Sequence, residues 1–315
     1  MNNLHQPPGF SHVLRETGLP KKQYIGRFAP SPTGSLHAGS LVAAMASYLD
    51  ARAHSGSWLV RMEDVDQTRT APGAAQSILQ TLKTFGMHPD GEVVWQSQRD
   101  DCYAAAFQKL SSQVYPCTCS RREIADSVAV ASQSPLDIWP YPGTCRAGIA
   151  SAKTIRAWRI LVPQAGEPDD CIGFEDRTCG LVKQYLSCDT GDFVLRRGDG
   201  FWAYQLAVVV DDAAQGITDV VRGMDLLAST PRQIYLQRKL GLPSPRYLHV
   251  PLVLDASGKK LSKHGAAVAL EHRHVNEQLQ AAARVLGLTI ASSDSLQNFW
   301  QEAIAKWSVL YLQQG

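Results

Sequence analysis

Two short, widely separated segments carry the residue types that handle a triphosphate. The first runs Arg27-Phe28-Ala29-Pro30-Ser31-Pro32-Thr33-Gly34-Ser35-Leu36-His37-Ala38-Gly39-Ser40, and the second Gly258-Lys259-Lys260-Leu261-Ser262-Lys263-His264. Activating a carboxylate with ATP develops charge on the α-phosphate and on the leaving pyrophosphate. Backbone N–H groups at a helix start stabilise such charge. Gly34 and Gly39 allow backbone and nucleotide to approach without an intervening Cβ. His37 can donate to phosphate oxygens in the transition state. Lys260 and Lys263, three apart in a Gly-flanked loop, can clamp the β- and γ-phosphates and relax as pyrophosphate leaves. Taken singly, the first segment also fits a proline turn before a core helix, and the second a solvated basic turn. Their combination, in this order, favours one nucleotide-handling device.

The elements that must position them follow from local pattern. Tyr24–Phe28 is a short β-prone run that breaks at Pro30, and Leu36–Ala51 reads as a helix. Strand, Gly-containing turn and helix open a nucleotide-binding α/β unit. Trp58–Met62 is a second strand and ends directly in Glu63-Asp64-Val65-Asp66; residues 72–86 are helical, and Val93–Trp95 offers a third strand. Strands separated by helices imply a parallel sheet. From 112 to 200 the texture changes: a cysteine cluster, Pro135, Pro140, Pro142, Pro163 and Pro168, and a hairpin turning at Gly198-Asp199-Gly200. Regular α/β texture resumes at Val208-Val209-Val210-Asp211-Asp212 and Asp219-Val220-Val221. Ser229-Thr230-Pro231 is a helix start with a hydroxyl cap and an early proline. Tyr247–Leu254 is a strand leading into the lysine loop, and the last fifty residues are helical.

The 315 residues favour two domains or one elaborated domain. A formal charge of only +2 means that a nucleic-acid partner would meet a local patch rather than a global field. No apolar run approaches the about 20 residues that span a bilayer. Residues 1–21 read as a flexible N-terminal extension without the apolar core of a secretory signal. The seven cysteines, Cys102, Cys117, Cys119, Cys145, Cys171, Cys179 and Cys188, form no disulfide framework, which points to a reducing cytoplasm. Cys117-Thr118-Cys119 with Tyr141-Pro142-Gly143-Thr144-Cys145 offers three thiolates and a fourth donor, enough for tetrahedral zinc. The C-x-C spacing is tighter than usual and tyrosine is a rare ligand, so spacing leaves a metal site and unligated thiols both open.

With these residues in view, the chain resembles the class I aminoacyl-tRNA synthetases of the glutamyl type. Their two hallmarks, His-Ile-Gly-His and Lys-Met-Ser-Lys-Ser, stand here as His37-Ala38-Gly39-Ser40 and Lys260-Leu261-Ser262-Lys263-His264. Ser40 replaces the second histidine and His264 the final serine. The resemblance runs from about residue 22 to 265. It takes in Arg27-Phe28-Ala29-Pro30-Ser31, Arg61-Met62-Glu63-Asp64-Val65-Asp66, Tyr204, Val210-Asp211-Asp212, Val221-Arg222-Gly223 and Ser229-Thr230-Pro231-Arg232-Gln233. Only about fifty residues follow the lysine loop, where full glutamyl synthetases carry an anticodon-binding region. The resemblance is therefore to the truncated paralogues of that family. These activate glutamate without tRNA and attach it to queuosine, the modified wobble base of tRNA(Asp).

The resemblance implies a Rossmann-like α/β parallel sheet in two halves, 22–111 and 201–265. Between them lies an inserted, zinc-bearing, acceptor-type module over 112–200, and after them a short helical tail over 266–315. It implies catalytic roles for His37, Lys260 and Lys263. It implies a glutamate site of Arg27, Ala29, Ser31, Glu63, Tyr204 and Arg222, and an ATP site of Pro30, Gly34, His37, Gly39, Ser40, Lys260, Leu261, Ser262 and Lys263. The charges make sense of this: Arg27 and Arg222 supply planar forks for two carboxylates, and Glu63 pairs with the ammonium. Structural zinc on Cys117, Cys119, Tyr141 and Cys145 is implied too, with Mg²⁺ accompanying ATP. Asp211 and Asp212 admit two readings, substrate or ribose ligands or the cap of a strand end. The chain is expected to act as a cytoplasmic monomer. Two rivals remain: a glutamate-activating ligase with another acceptor, and a non-catalytic paralogue that only binds tRNA, against which the intact site residues speak.

Overall fold

The computed structural model describes residues 23–129, 140–150, 153–253, 269–291 and 295–312. Its first half runs β1 (Ile25–Phe28), α1 (Ala38–Ala53), β2 (Ser57–Met62), α2 (Ala74–Thr84), β3 (Val94–Trp95) and α3 (Asp100–Lys109). A middle segment holds β4 (Val114–Cys117), α4 (Arg121–Ala129), β5 (Ala157–Ile160), β6 (Cys171–Asp176), β7 (Gly180–Tyr185) and β8 (Phe193–Arg197). The remainder is α5 (Tyr204–Ala214), β9 (Asp219–Gly223), α6 (Thr230–Leu240), β10 (Arg246–Val250), α7 (Val275–Val285) and α8 (Leu296–Tyr311). A seven-stranded sheet has the order β3-β2-β1-β9-β10-β6-β7, parallel except for the β6–β7 hairpin.

Alternation along the central strands explains both cores and the site between them. Phe28, Val60, Met62, Val221, Leu248 and Val250 face α1 and join one buried cluster. Ile25, Leu59, Val220 and Tyr247 face the other way and join a second cluster with α5 and α6. Two residues further along each of these strands, on that second face, stand Arg27, Arg61, Arg222 and His249. Side chains at i and i+2 share a face. One face of the sheet thus turns from apolar to charged at its carboxyl end, where open α/β sheets bind ligands.

The middle segment divides between two sheets. β4, β5 and β8 form a separate antiparallel sheet. It is tied by the buried Asp192, which accepts hydrogen bonds from Tyr115, from Arg146 Nε at 2.6 Å and from the Val162 amide at 2.8 Å. The hairpin expected at 198–200 is present, with Arg196 bridging Trp202. Residues 171–185, which the sequence groups with the inserted module, instead form the hairpin at the edge of the large sheet, where β6 pairs with β10 at Tyr247 and Asp176.

Two further expectations change. Val208 to Asp212 lie on α5, not on a strand, so Asp211 and Asp212 cap no strand end. The start of α6 has its early proline, but the Ser229 hydroxyl makes no cap bond; its Oγ accepts from Gln205 instead. The C-terminal helices are no loose tail: Leu279, Ala282, Phe299, Trp300, Ala303 and Trp307 are buried in the α1 core. Asp50 of α1 locks them. Its buried carboxylate takes Arg177 through two bonds of 2.6 and 2.8 Å, the Tyr24 hydroxyl at 2.6 Å and the Trp307 indole at 2.9 Å. Burial opposes this charge, but Arg177 and the other donors hold the carboxyl below its ordinary range.

Candidate active site

A cleft of about 830 Å³ opens at the carboxyl ends of β1, β2, β9 and β10. Arg27, Ala29, Pro30, Ser31, His37, Gly39, Ser40, Glu63, Tyr204 and Arg222 all line it. Gly34 is not among its lining residues, and a Cβ built there meets nothing within 4 Å. The lysine loop, Lys260, Leu261, Ser262, Lys263 and His264, lies outside the described residues, as does the extension before residue 23. Leu252 and Val253 line the cleft; Ala269, the next described residue, bridges His37, and the Leu270 amide donates to the Leu36 carbonyl at 3.0 Å. The described residues on either side of the lysine-bearing segment therefore abut the cleft and the first motif.

His37 is the N-cap of α1: its Nδ1 accepts the Ser40 amide at 3.4 Å. That bond places the neutral ring's proton on Nε2, making that atom the ring's donor. Gly39 serves this ring directly, because a Cβ there would sit 3.2 Å from the imidazole Cε1.

The two arginine forks differ in their partners. Arg27, 3 % exposed, is held by Asp212 of α5 through Nε at 3.1 Å and Nη2 at 3.3 Å. Asp212 also takes Arg61 at 2.8 Å. Burial opposes the Asp212 charge, but Arg27 and Arg61 keep its carboxyl below the usual range. Asp211 is likewise buried and collects Arg99 at 2.6 Å, Gln96 at 2.8 Å and the Tyr103 hydroxyl at 2.8 Å. The paired aspartates thus hold arginines and helices in place. Arg222, by contrast, has only neutral partners among the described residues: His249 Nε2 at 3.1 Å, Thr230 Oγ1 at 2.7 Å and the Tyr204 hydroxyl at 3.5 Å. A buried guanidinium with no carboxylate of its own keeps its charge unpaired within the protein. Glu63, held by its amide on the Pro30 carbonyl at 2.9 Å, is pushed upward by burial and partly brought back by Arg61 and Arg27. Its Oε1 already accepts from Arg61 Nη2 at 3.3 Å.

Cys117, Cys119 and Cys145 bring three sulfurs within 4.8 Å of one another. The Tyr141 hydroxyl lies 3.4 Å from Cys117 Sγ and 3.6 Å from Cys119 Sγ, and Cys119 and Cys145 are 3.5 Å apart. Tetrahedral zinc–thiolate sites have ligand–ligand edges of roughly 3.8 Å, from bonds of about 2.3 Å, so the donor set fits such an ion. Gly191 makes this geometry possible: its φ is +65°, and a Cβ there would lie 2.4 Å from the Tyr141 carbonyl oxygen. Burial opposes ionisation of Cys145, but the Tyr141 hydroxyl and the neighbouring donors bring its thiol down to about 6. Among the described residues only Tyr115, Cys117, Tyr141 and Cys145 form the buried cluster here, a small core that a metal would staple.

Sequence reasoning passed over Arg61, Thr230, Asp176 and His249 as site residues. The first, second and fourth were within reach of it. Arg61 and His249 continue the apolar alternation of their strands, and Thr230 follows Ser229 in a quoted motif. Asp176 had no local signal, because only the sheet order brings it near.

Comparison with known proteins gives the family and the fold. The family model for tRNA synthetases class I (E and Q), catalytic domain, matches residues 25–303. A glutamyl-Q tRNA(Asp) synthetase of Janthinobacterium sp. (strain Marseille) is 58 % identical over 292 residues, covering 93 % of this chain and 99 % of its own. One of Verminephrobacter eiseniae (strain EF01-2) is 56 % identical over 289 residues, covering 92 % and 98 %. Among solved structures, a glutamate tRNA ligase from Elizabethkingia meningosepticum CCUG26117, in complex with its amino acid, superposes with a TM-score of 0.72 at 24 % identity over 90 % of this chain. The glutamate-tRNA synthetase of Elizabethkingia anophelis gives 0.73 at 24 % identity, also over 90 %. The chain spans 64 % and 65 % of the length of those two structures.

Proposed function

The chain belongs to the class I tRNA synthetases of the E and Q type, and from that premise we propose that it activates L-glutamate with ATP, without tRNA, and transfers the glutamate to the queuosine base at the wobble position of tRNA(Asp). The observation that carries the first half is Arg222, a buried cation facing the cleft with neutral partners only, among the described residues. The second half is supported by the relatives of 56–58 % identity whose names state that acceptor.

In the reaction, a glutamate carboxylate oxygen attacks the α-phosphorus of ATP and pyrophosphate leaves. The product is a mixed anhydride, and no protein nucleophile takes part. Arg27 and Arg222 hold the substrate's carboxylates, Glu63 its ammonium, and Ser31 and Tyr204 add hydroxyls. The Nε2–H of His37 donates to phosphate oxygens as charge develops. Pro30, Gly39 and Ser40 shape the nucleotide end, and Lys260 and Lys263 neutralise the departing pyrophosphate. Mg²⁺ bound with ATP would supply charge screening of its phosphates. A hydroxyl of the queuosine cyclopentene ring then attacks the glutamyl carbonyl and AMP departs. The wobble base must be splayed from its loop to reach that carbonyl. Incubating radiolabelled glutamate with queuosine-containing and queuosine-lacking tRNA, then mapping the label, tests this. Label confined to the modified base of tRNA(Asp) is expected; label at a 3′ end or on queuosine-lacking tRNA overturns the acceptor.

We further assign structural zinc to Cys117, Cys119, Tyr141 and Cys145, within an inserted module flanked by the two halves of the catalytic domain. When bound, the ion crosslinks β4, the turn before α4 and the segment at 141–145. Cys119→Ser is expected to drop zinc from about one ion per chain to near none, and to lower the melting temperature by several degrees. Unchanged metal stoichiometry by elemental analysis removes the assignment.

A further inference from the structure

We propose that Asp176 and His249 are positioning residues that hold the Arg222 fork for a substrate carboxylate while leaving its charge unspent. This deepens the reading of the site above and rests on it. His249 and Arg222 are register partners on the adjacent parallel strands β10 and β9. His249 is fully buried, and its Nε2 lies 3.1 Å from Arg222 Nε. A guanidinium N–H can only donate. Nε2 must therefore offer a lone pair, and the ring's proton sits on Nδ1. That atom is 2.6 Å from Asp176 Oδ2. The carboxylate, 1 % exposed, is anchored in turn by the Thr178 and Cys179 amides, each at 3.0 Å on Oδ1.

The order carboxylate, imidazole, guanidinium has a physical consequence. A carboxylate placed directly on Arg222 would neutralise it and compete with substrate, as Asp212 does in part for Arg27. A neutral imidazole holds Nε without supplying a counter-charge. The Asp176 charge, one ring away, polarises that imidazole and strengthens its lone pair as an acceptor. Burial and the nearby Arg222 cation both keep His249 neutral; Asp176 acts in the opposite sense but does not prevail. Nε goes to His249, one Nη2 hydrogen to Thr230 and one Nη1 hydrogen to Tyr204, so two of the fork's five N–H groups remain for substrate. Asp176 closes the hairpin strand β6, so the segment inserted between the two halves of the sheet completes the amino-acid site from behind.

Two measurements test this. In glutamate-dependent pyrophosphate exchange, Asp176→Asn, which keeps the shape, removes the charge and leaves one oxygen where His249 Nδ1–H and the Thr178 and Cys179 amides use two, should raise the KM for glutamate about tenfold. The KM for ATP and kcat should stay within a factor of about two or three. His249→Gln, whose amide oxygen can replace Nε2 as acceptor, should retain more glutamate affinity than His249→Leu. A melting temperature that falls with all kinetic constants unchanged, or equal effects on glutamate and ATP, overturns the relay. The ¹⁵N spectrum of His249 in the wild-type chain should show a protonated Nδ1 and an unprotonated Nε2 at neutral pH. The opposite tautomer also overturns the relay. If the wild-type chain catalyses no exchange at all, it is the function that falls, and the spectrum still decides the relay.

Discussion

Arg222→Leu is expected to raise the glutamate requirement of pyrophosphate exchange by about 10²- to 4 × 10³-fold, with the KM for ATP little changed. Removing one member of a buried charged pair costs about 3–5 kcal/mol, and each 1.4 kcal/mol is about tenfold in affinity. Arg222 is 5 % exposed and receives no compensating carboxylate among the described residues, so the substrate's own charge meets this fork and is left unpaired without it. Arg222→Lys should recover only part of the loss, because an ammonium restores the charge but not the planar fork. A thermal melt separates this from misfolding, since the leucine also removes a partner from Thr230 and from His249. A glutamate KM within about threefold of wild type in a folded variant would remove Arg222 from the substrate site.

Lys263→Ala should depress adenylate formation by about 10²–10³-fold, the range for deleting one donor that stabilises transition-state charge. The effect should fall on kcat, with the melting temperature unchanged. Lys263 stands in the second motif, between Val253 on the cleft wall and Ala269 against His37. The described residues that flank the lysine-bearing segment thus stand at the cleft wall and at the first motif. Exchange kinetics close to wild type would refute the clamp.

The first motif's place at the start of α1, the first three strands, the helix between the first two and the thiol cluster were legible in the sequence. Each rests on short-range signals: alternation, a proline break, a cap, a C-x-C. Legibility failed where tertiary context overrides local preference. Val208-Val209-Val210 is β-branched and reads as strand texture, yet it lies on α5, where Val208 and Val209 are buried among side chains of the second core. Asp211 and Asp212 looked ambiguous because a carboxylate on a helix becomes informative only once Arg27, Arg61 and Arg99 converge on it from other elements. The change of texture after residue 112 marked an insertion but not its division, because which sheet a hairpin joins depends on long-range pairing. Trp300 and Trp307 gave no local hint that the last helices complete the α1 core.

The account depends on a single cleft in which glutamate's carboxylate and the ATP α-phosphate meet without a protein nucleophile. Glutamate-dependent exchange of labelled pyrophosphate into ATP, in the absence of any tRNA, tests this most directly. The expected result is exchange that requires glutamate, is not supported by glutamine at equal concentration, and leaves no label covalently bound to the protein. Absence of exchange in a folded, zinc-loaded chain, or a glutamyl-protein intermediate, would contradict it.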